Sequence, residues 1–167
     1  MKREKVDDFY EEAKEYCYLI DNNTLNLENV STYITTLMKL YIHAVELPFG
    51  DNEYIPESVE NQIQEMRRKS RWNAKTELED HYVQTFNPFN SEDELDYYII
   101  TGDLSEIYED MKEGIILYEN GYKYQAMWEW GFGCYSHWGR HLTSVLRPLH
   151  SLWIDDEVCE ELKKLDQ

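Results

Sequence analysis

Two histidines four residues apart, His137 and His141, stand in the stretch WEWGFGCYSHWGRHLTSVLRPLH (128–150). On a helix, side chains at i and i+4 project from one side. Both rings could then reach one ion. The preceding stretch GDLSEIYEDMKEG (102–114) sets Asp103, Glu106, Asp110 and Glu113 along one flank of an apolar stripe. Imidazoles facing carboxylates offer either a nitrogen/oxygen shell, as helical metal bundles use, or an acid–base pair. The candidate polar centre is therefore Asp103, Glu106, Asp110, Trp130, His137, Trp138 and His141. Within it His137, His141, Asp103, Glu106 and Asp110 are candidate ligands for a divalent metal ion.

A plainer reading competes with this one. Core histidines hydrogen-bonded to a carboxylate or a carbonyl fit the same pattern, and the stripe Trp128, Trp130, Trp138 fits an aromatic core. No HExxH occurs, so two ligands and a general base do not fall on one helix. Glu129 is eight residues before His137, which also rules out a Glu-x-x-His pair there. Asp103 follows Gly102 and precedes a helix, which suits an N-cap with Glu106 as its partner at N3. Cys134 shares the histidine face, but a core position denies a thiolate the exposure it needs. No glycine-rich phosphate loop is present.

The elements that must position these residues are helical. Phe9, Ala13, Tyr16 and Ile20 mark one face of a first helix. Asn26 can cap a second, with Val30, Ile34, Leu37, Met38, Tyr41 and Val45 on its apolar side. LPFGDNEYIP (47–56) is a loop. Pro56 suits the first turn of a third helix over 57–84, interrupted by the basic island MRRKSRWNAK. Asn87-Pro88 ends it, and Ser91 with Glu94 forms a capping box for a further helical segment. Thr101-Gly102 interrupts that segment. A helix from Asp103 to about Glu119 follows, then a turn at Asn120-Gly121. A long helix runs from about Lys123 through 147 towards His150. Asp155 can cap a short last helix ending at Leu162. The short turn at 120–122 predicts that the helices 103–119 and 123–147 pack as an antiparallel hairpin. No strand alternation of useful length is apparent. Gly131, Gly133 and Gly139 lie inside a helical pattern, where each costs about 1 kcal/mol against Ala. Such positions permit close crossings or a local irregularity.

The 167 residues are enough for one compact domain with its own core. With 34 acidic and 16 basic side chains, the formal net charge is −18. That charge opposes nucleic acid and anionic membrane, which need Lys and Arg. It favours a basic protein partner, a cationic ligand or a metal ion. Three widely spaced cysteines, an odd number, read as reduced thiols in a cytoplasm. The polar start MKREKVDDFYEE has no secretion-signal core. No run of about 18 uncharged apolar residues suggests a membrane span.

Two stretches together resemble the bacterial family DUF5063. They are GDLSEIYEDMKEGIILYENG (102–121) and AMWEWGFGCYSHWGRH (126–141). The shared residues are Asp103, Leu104, Ile107, Tyr108, Asp110 and Lys112, then Trp128, Trp130, His137, Trp138, Gly139 and His141. FYEEAKEYCYLID and the NPF before the acidic helix are similar as well, so the resemblance spans about residues 6 to 150. Glu106 departs from the family's Asp. Gly131 departs from a larger, often basic residue that could partner a carboxylate. The resemblance implies an all-helical bundle in a bacterial cytoplasm and no particular activity.

These readings converge on an all-α, single-domain antiparallel bundle of about six helices over residues 1–167. The first functional expectation is a non-enzymatic acidic adaptor for a basic partner, whose charge steers association. The alternative is a metal-binding helical protein, in which the ion could support hydrolysis, with a His/carboxylate site between helices 103–119 and 123–147. Aromatic surface on the Trp-rich helix leaves room for a homodimer.

Overall fold

The computed structural model describes the backbone of residues 2–165 apart from 51 and 71, and the side chains of 5–154 with the same two exceptions. Among the described residues the chain forms six helices and one two-stranded sheet. They are α1 (Lys2–Asn22), α2 (Val30–Glu46), α3 (Glu57–Ser70), β1 (His81–Thr85), β2 (Leu95–Ile99), α4 (Ile100–Glu119), α5 (Lys123–Ser136) and α6 (Trp138–Leu165). The protein is mostly helical, as the periodicity predicts.

α4 is the central helix and packs against α1, α3, α5 and α6. Its stripe Leu104, Ile107, Met111 and Leu117 is fully shielded from water. Each such side chain contributes about 1.5–3 kcal/mol relative to an exposed one. α1 supplies Phe9, Ala13 and Tyr16 to the same core, and the Tyr16 hydroxyl donates to the Leu104 carbonyl at 2.7 Å. α4 and α5 form the expected hairpin. Gly121 closes it at φ +93°, where a side chain would be strained, and the Tyr122 N–H returns to the Leu117 carbonyl at 2.9 Å.

Five local expectations are corrected. First, α3 stops at Ser70, and residues 81–85 and 95–99 form an antiparallel hairpin with Tyr82 opposite Tyr98 and Thr85 opposite Leu95. The face with Tyr82, Gln84 and Tyr98 is half-buried while Val83, Leu95 and Tyr97 on the other face are exposed, so apolar residues do not mark the inner face of either strand. Second, Ser91 and Glu94 cap no helix. Their segment is a loop in which the Asn87 and Asn90 side chains accept from the N–H groups of Phe89 and Glu92.

Third, α4 begins at Ile100 and runs through Gly102. Its first turn is held by Asp80, which accepts from the Thr101 N–H at 2.8 Å and the Thr101 hydroxyl at 2.7 Å. Asp103 is therefore not a cap. Fourth, α2 turns Met38 and Val45 outward and buries Tyr33, Leu40 and Ala44 instead. It starts at Val30, and Asn26 organises the preceding turn by accepting from Glu28 and Asn29.

Fifth, the long helix over 123–147 is two helices. The helix is broken at His137 (φ −142°, ψ −86°), and α6 starts afresh at Trp138. Gly139 allows the turn, because a Cβ there would overlap the Cys134 carbonyl. α6 then runs to Leu165, so no separate helix starts at Asp155. The Asp155 side chain lies outside the described residues.

Candidate functional site: two aspartate–histidine pairs and Glu106

The break between α5 and α6 sets the site. His137 projects from the junction and His141 from the first turn of α6, and both meet the acidic flank of α4. The His141 Nδ1 lies 2.7 Å from Asp103 Oδ1, and the His137 Nδ1 lies 2.7 Å from Asp110 Oδ2. The two rings stand edge to face with centroids 4.9 Å apart. Glu106 sits one turn along α4 between the two aspartates. Its Oε2 is 3.8 Å from His137 Nε2.

A carboxylate at Nδ1 selects the tautomer in which Nδ1–H donates and Nε2 keeps its lone pair. Both histidines are held in this way by different aspartates. Their ligating atoms and that of Glu106 lie within 4.8 Å of one another. Asp103 is the deepest member, with its side chain 5% exposed against 20% for His141. It also accepts a hydrogen bond from the Tyr82 hydroxyl of β1. The sheet thus fixes one end of the site. Burial, then the bond to Asp103, pushes the Tyr82 phenol well above its ordinary value. Tyr82 therefore stays a neutral donor.

The sequence-predicted residues divide into three groups. His137, His141 and Glu106 face one another. Asp103 and Asp110 stand behind the histidines, bonded to Nδ1. Trp130 and Trp138 are not part of a polar centre. Both are fully buried in the aromatic core around Phe9. The Trp138 indole donates to the Trp130 carbonyl at 3.0 Å, and the Trp130 indole reaches the Met111 carbonyl at 3.4 Å. The histidines themselves are not core residues, since the His137 side chain is 45% exposed. Cys134 is half-buried and burial pushes its thiol up to about 11, which removes it as a nucleophile near neutrality. Gly131 borders Leu47 and Phe49 rather than a carboxylate, so a basic residue there would find no such partner beside its Cβ. Tyr82 and Asp80 were not predicted as contributors.

The hydrogen bond to Asp110 raises the pKa of His137. Burial opposes the shift, and the charges of Asp110 and Glu106 reinforce it. The folded value exceeds the unfolded one, so protonation of His137 favours folding. That contribution is fully present below the unfolded value of about 6.5 and is lost as pH rises through the folded value. An NMR titration of metal-free protein is expected to give a His137 midpoint above that of a model imidazole, and Asp110→Asn is expected to bring it down. A midpoint at or below the model value would contradict the pairing.

The chain matches the family model DUF5063, described as a domain of unknown function, over residues 2–155. The span expected from the motifs, 6 to 150, lies inside that match. No curated protein matches the sequence. The fold is similar to the crystal structure of protein BF1032 from Bacteroides fragilis, with a TM-score of 0.58 at 20% identity, covering 89% of this chain and 95% of that one. That likeness shows a shared helical architecture. With the family model matched along nearly its whole length, this chain belongs to the DUF5063 family.

Proposed function

We propose that the protein binds one divalent transition-metal ion through Glu106, His137 and His141. One observation carries this reading: two histidines, each fixed at Nδ1 by its own aspartate, cluster with Glu106 so that one ligand atom of each of the three lies within 4.8 Å of the others. A carboxylate behind each imidazole is the usual support of a metal-bound histidine. A nitrogen/oxygen set of this kind suits zinc, iron or manganese. In a tetrahedral site, ligand atoms about 2.1 Å from the ion are separated by about 3.4 Å. The present spacing therefore closes by a small adjustment of the exposed Glu106 and His137 side chains. Three protein ligands leave a position for water or substrate, so the ion would act as a Lewis acid or activate water for hydrolysis.

The test is to offer Zn²⁺, Mn²⁺ and Fe²⁺ in turn to the untagged, chelator-treated protein. Elemental analysis is expected to return about one equivalent of at least one ion after desalting. No retained ion would end this reading and leave His137 and His141 as structural hydrogen-bonding residues.

A second reading, an acidic adaptor for a basic protein partner, is favoured by the hairpin loop. Phe86, Phe89, Leu95 and Tyr97 are exposed there beside Glu92, Asp93, Glu94 and Asp96. Apolar anchors within acidic surroundings suit a basic, amphipathic surface. That reading differs in needing no ion and in weakening with salt. The described cysteines Cys17 and Cys134 are free, which supports a reducing compartment such as a bacterial cytoplasm. Among the described residues no helix is long and apolar enough to cross a membrane.

A further inference from the structure

In a chain with more than two acids for each base, an arginine is expected to meet a carboxylate. Arg67 and Arg68 do so, with Glu113 and Glu65. Arg140 and Arg147 do not, and among the described residues neither joins an ion pair. Both line one cleft of about 540 Å³ between the β1–β2 hairpin and α6. No carboxylate lines it. Its remaining walls are uncharged: polar side chains from Gln84 and Thr143 among others face the apolar Phe86, Pro88 and Leu95.

The two arginines are seven residues apart on α6. Seven residues are close to two turns, so they share a face with Cα atoms about 10 Å apart. The Arg140 guanidinium lies over the Phe86 ring, 4.4 Å from its centroid. Stacking orients the plane without neutralising the charge, and it leaves the N–H edges free for a planar or tetrahedral oxyanion. A cleft of this volume is of the size that takes a small organic ligand.

We infer that the cleft between the hairpin and α6 binds a small organic molecule carrying a phosphate or carboxylate group, with Arg140 and Arg147 gripping the oxyanion and the Phe86–Leu95 wall receiving its apolar body. The net charge of the whole chain repels anions, so retention of one here requires these two side chains. The site does not depend on the metal reading. It does adjoin it, since Arg140 directly precedes His141.

The experiment uses full-length, chelator-treated protein. Phenyl phosphate and phthalate are titrated separately while the arginine Nε–H resonances are followed by NMR. At least one probe is expected to bind saturably at a single site, shifting the signals of Arg140 and Arg147. Arg140→Gln and Arg147→Gln are each expected to weaken that probe at least tenfold, while Arg67→Gln leaves it unchanged. Both arginines are exposed, so circular dichroism should show both variants folded. The tighter probe identifies the oxyanion as phosphate or carboxylate. Absence of saturable binding by both probes, or binding that survives both glutamine variants, would overturn the inference. Metal is excluded throughout, so its failure is separate from failure of the metal site.

Discussion

Trp130→Ala is expected to lower the stability of the fold by about 3–5 kcal/mol, the range for removing a fully buried tryptophan. Trp130 is wholly shielded from water and packs against Phe9 with ring centroids 5.1 Å apart and against Tyr118 at 6.4 Å. Its indole lies against Gly114 of α4, so closely that a Cβ at 114 would overlap Nε1 and Cε2. Gly114 itself therefore has no side chain to swing into the space that truncation leaves. For a domain of this size the loss corresponds to a fall in Tm on the order of 10 °C. A second variant makes the argument specific. Gly114→Ala alone should destabilise by about 1–3 kcal/mol through overpacking. In the Trp130→Ala background the clash is gone and the better helix propensity of alanine, worth about 1 kcal/mol, remains. The effect of Gly114→Ala should then vanish or change sign. Urea unfolding of the four proteins measures this coupling. Equal effects of Gly114→Ala in both backgrounds would show that the indole is not what reserves the glycine.

That pair also shows what the sequence can and cannot display. The stripe of α4 is legible because Leu104, Ile107, Met111 and Ile115 repeat at helical spacing around a fully packed core. The hairpin at 81–99 is not, because its half-buried face carries Gln84 beside Tyr82 and Tyr98 while its exposed face carries Val83 and Leu95, so polarity does not follow burial. The glycines at 133 and 139 signal a close approach, and the structure shows its nature: a helix junction at His137 rather than a crossing. No proline announces that break.

The site divides in the same way. Residue types and the two facing segments are visible in sequence, since acids on one helix and imidazoles on its hairpin partner must meet. The pairing is not visible. It depends on the break at His137, beyond which His137 meets Asp110 and His141 meets Asp103. Tyr82 comes from an element without a periodic signal. Asp103 looks like a cap in sequence because Gly102 reads as the residue before its helix. Asp80, 23 residues earlier in the chain, takes the capping role and frees Asp103 for His141.

This division of roles leads to the second large effect. His137→Ala/His141→Ala is expected to abolish retained metal, from about one equivalent to none, while far-ultraviolet circular dichroism stays helical. Asp103→Asn and Asp110→Asn should behave differently. If these aspartates orient the imidazoles rather than bind the ion, each asparagine variant still reaches one equivalent at saturation, with affinity weakened about 10–100-fold. Asparagine keeps the size and one acceptor oxygen but removes the charge that makes Nε2 a better donor to the ion. Glu106→Gln tests the third ligand, because an amide oxygen is a poor substitute for a carboxylate on a transition metal. Its loss should fall between the aspartate variants and the double histidine variant. Equilibrium competition with a chromophoric chelator ranks all four. Loss of stoichiometric metal in Asp103→Asn or Asp110→Asn, equal to that of the double histidine variant, would move that aspartate into the coordination shell. The shell would then be centred nearer α4, and His137 and His141 would be ligands of a site richer in oxygen than the one proposed.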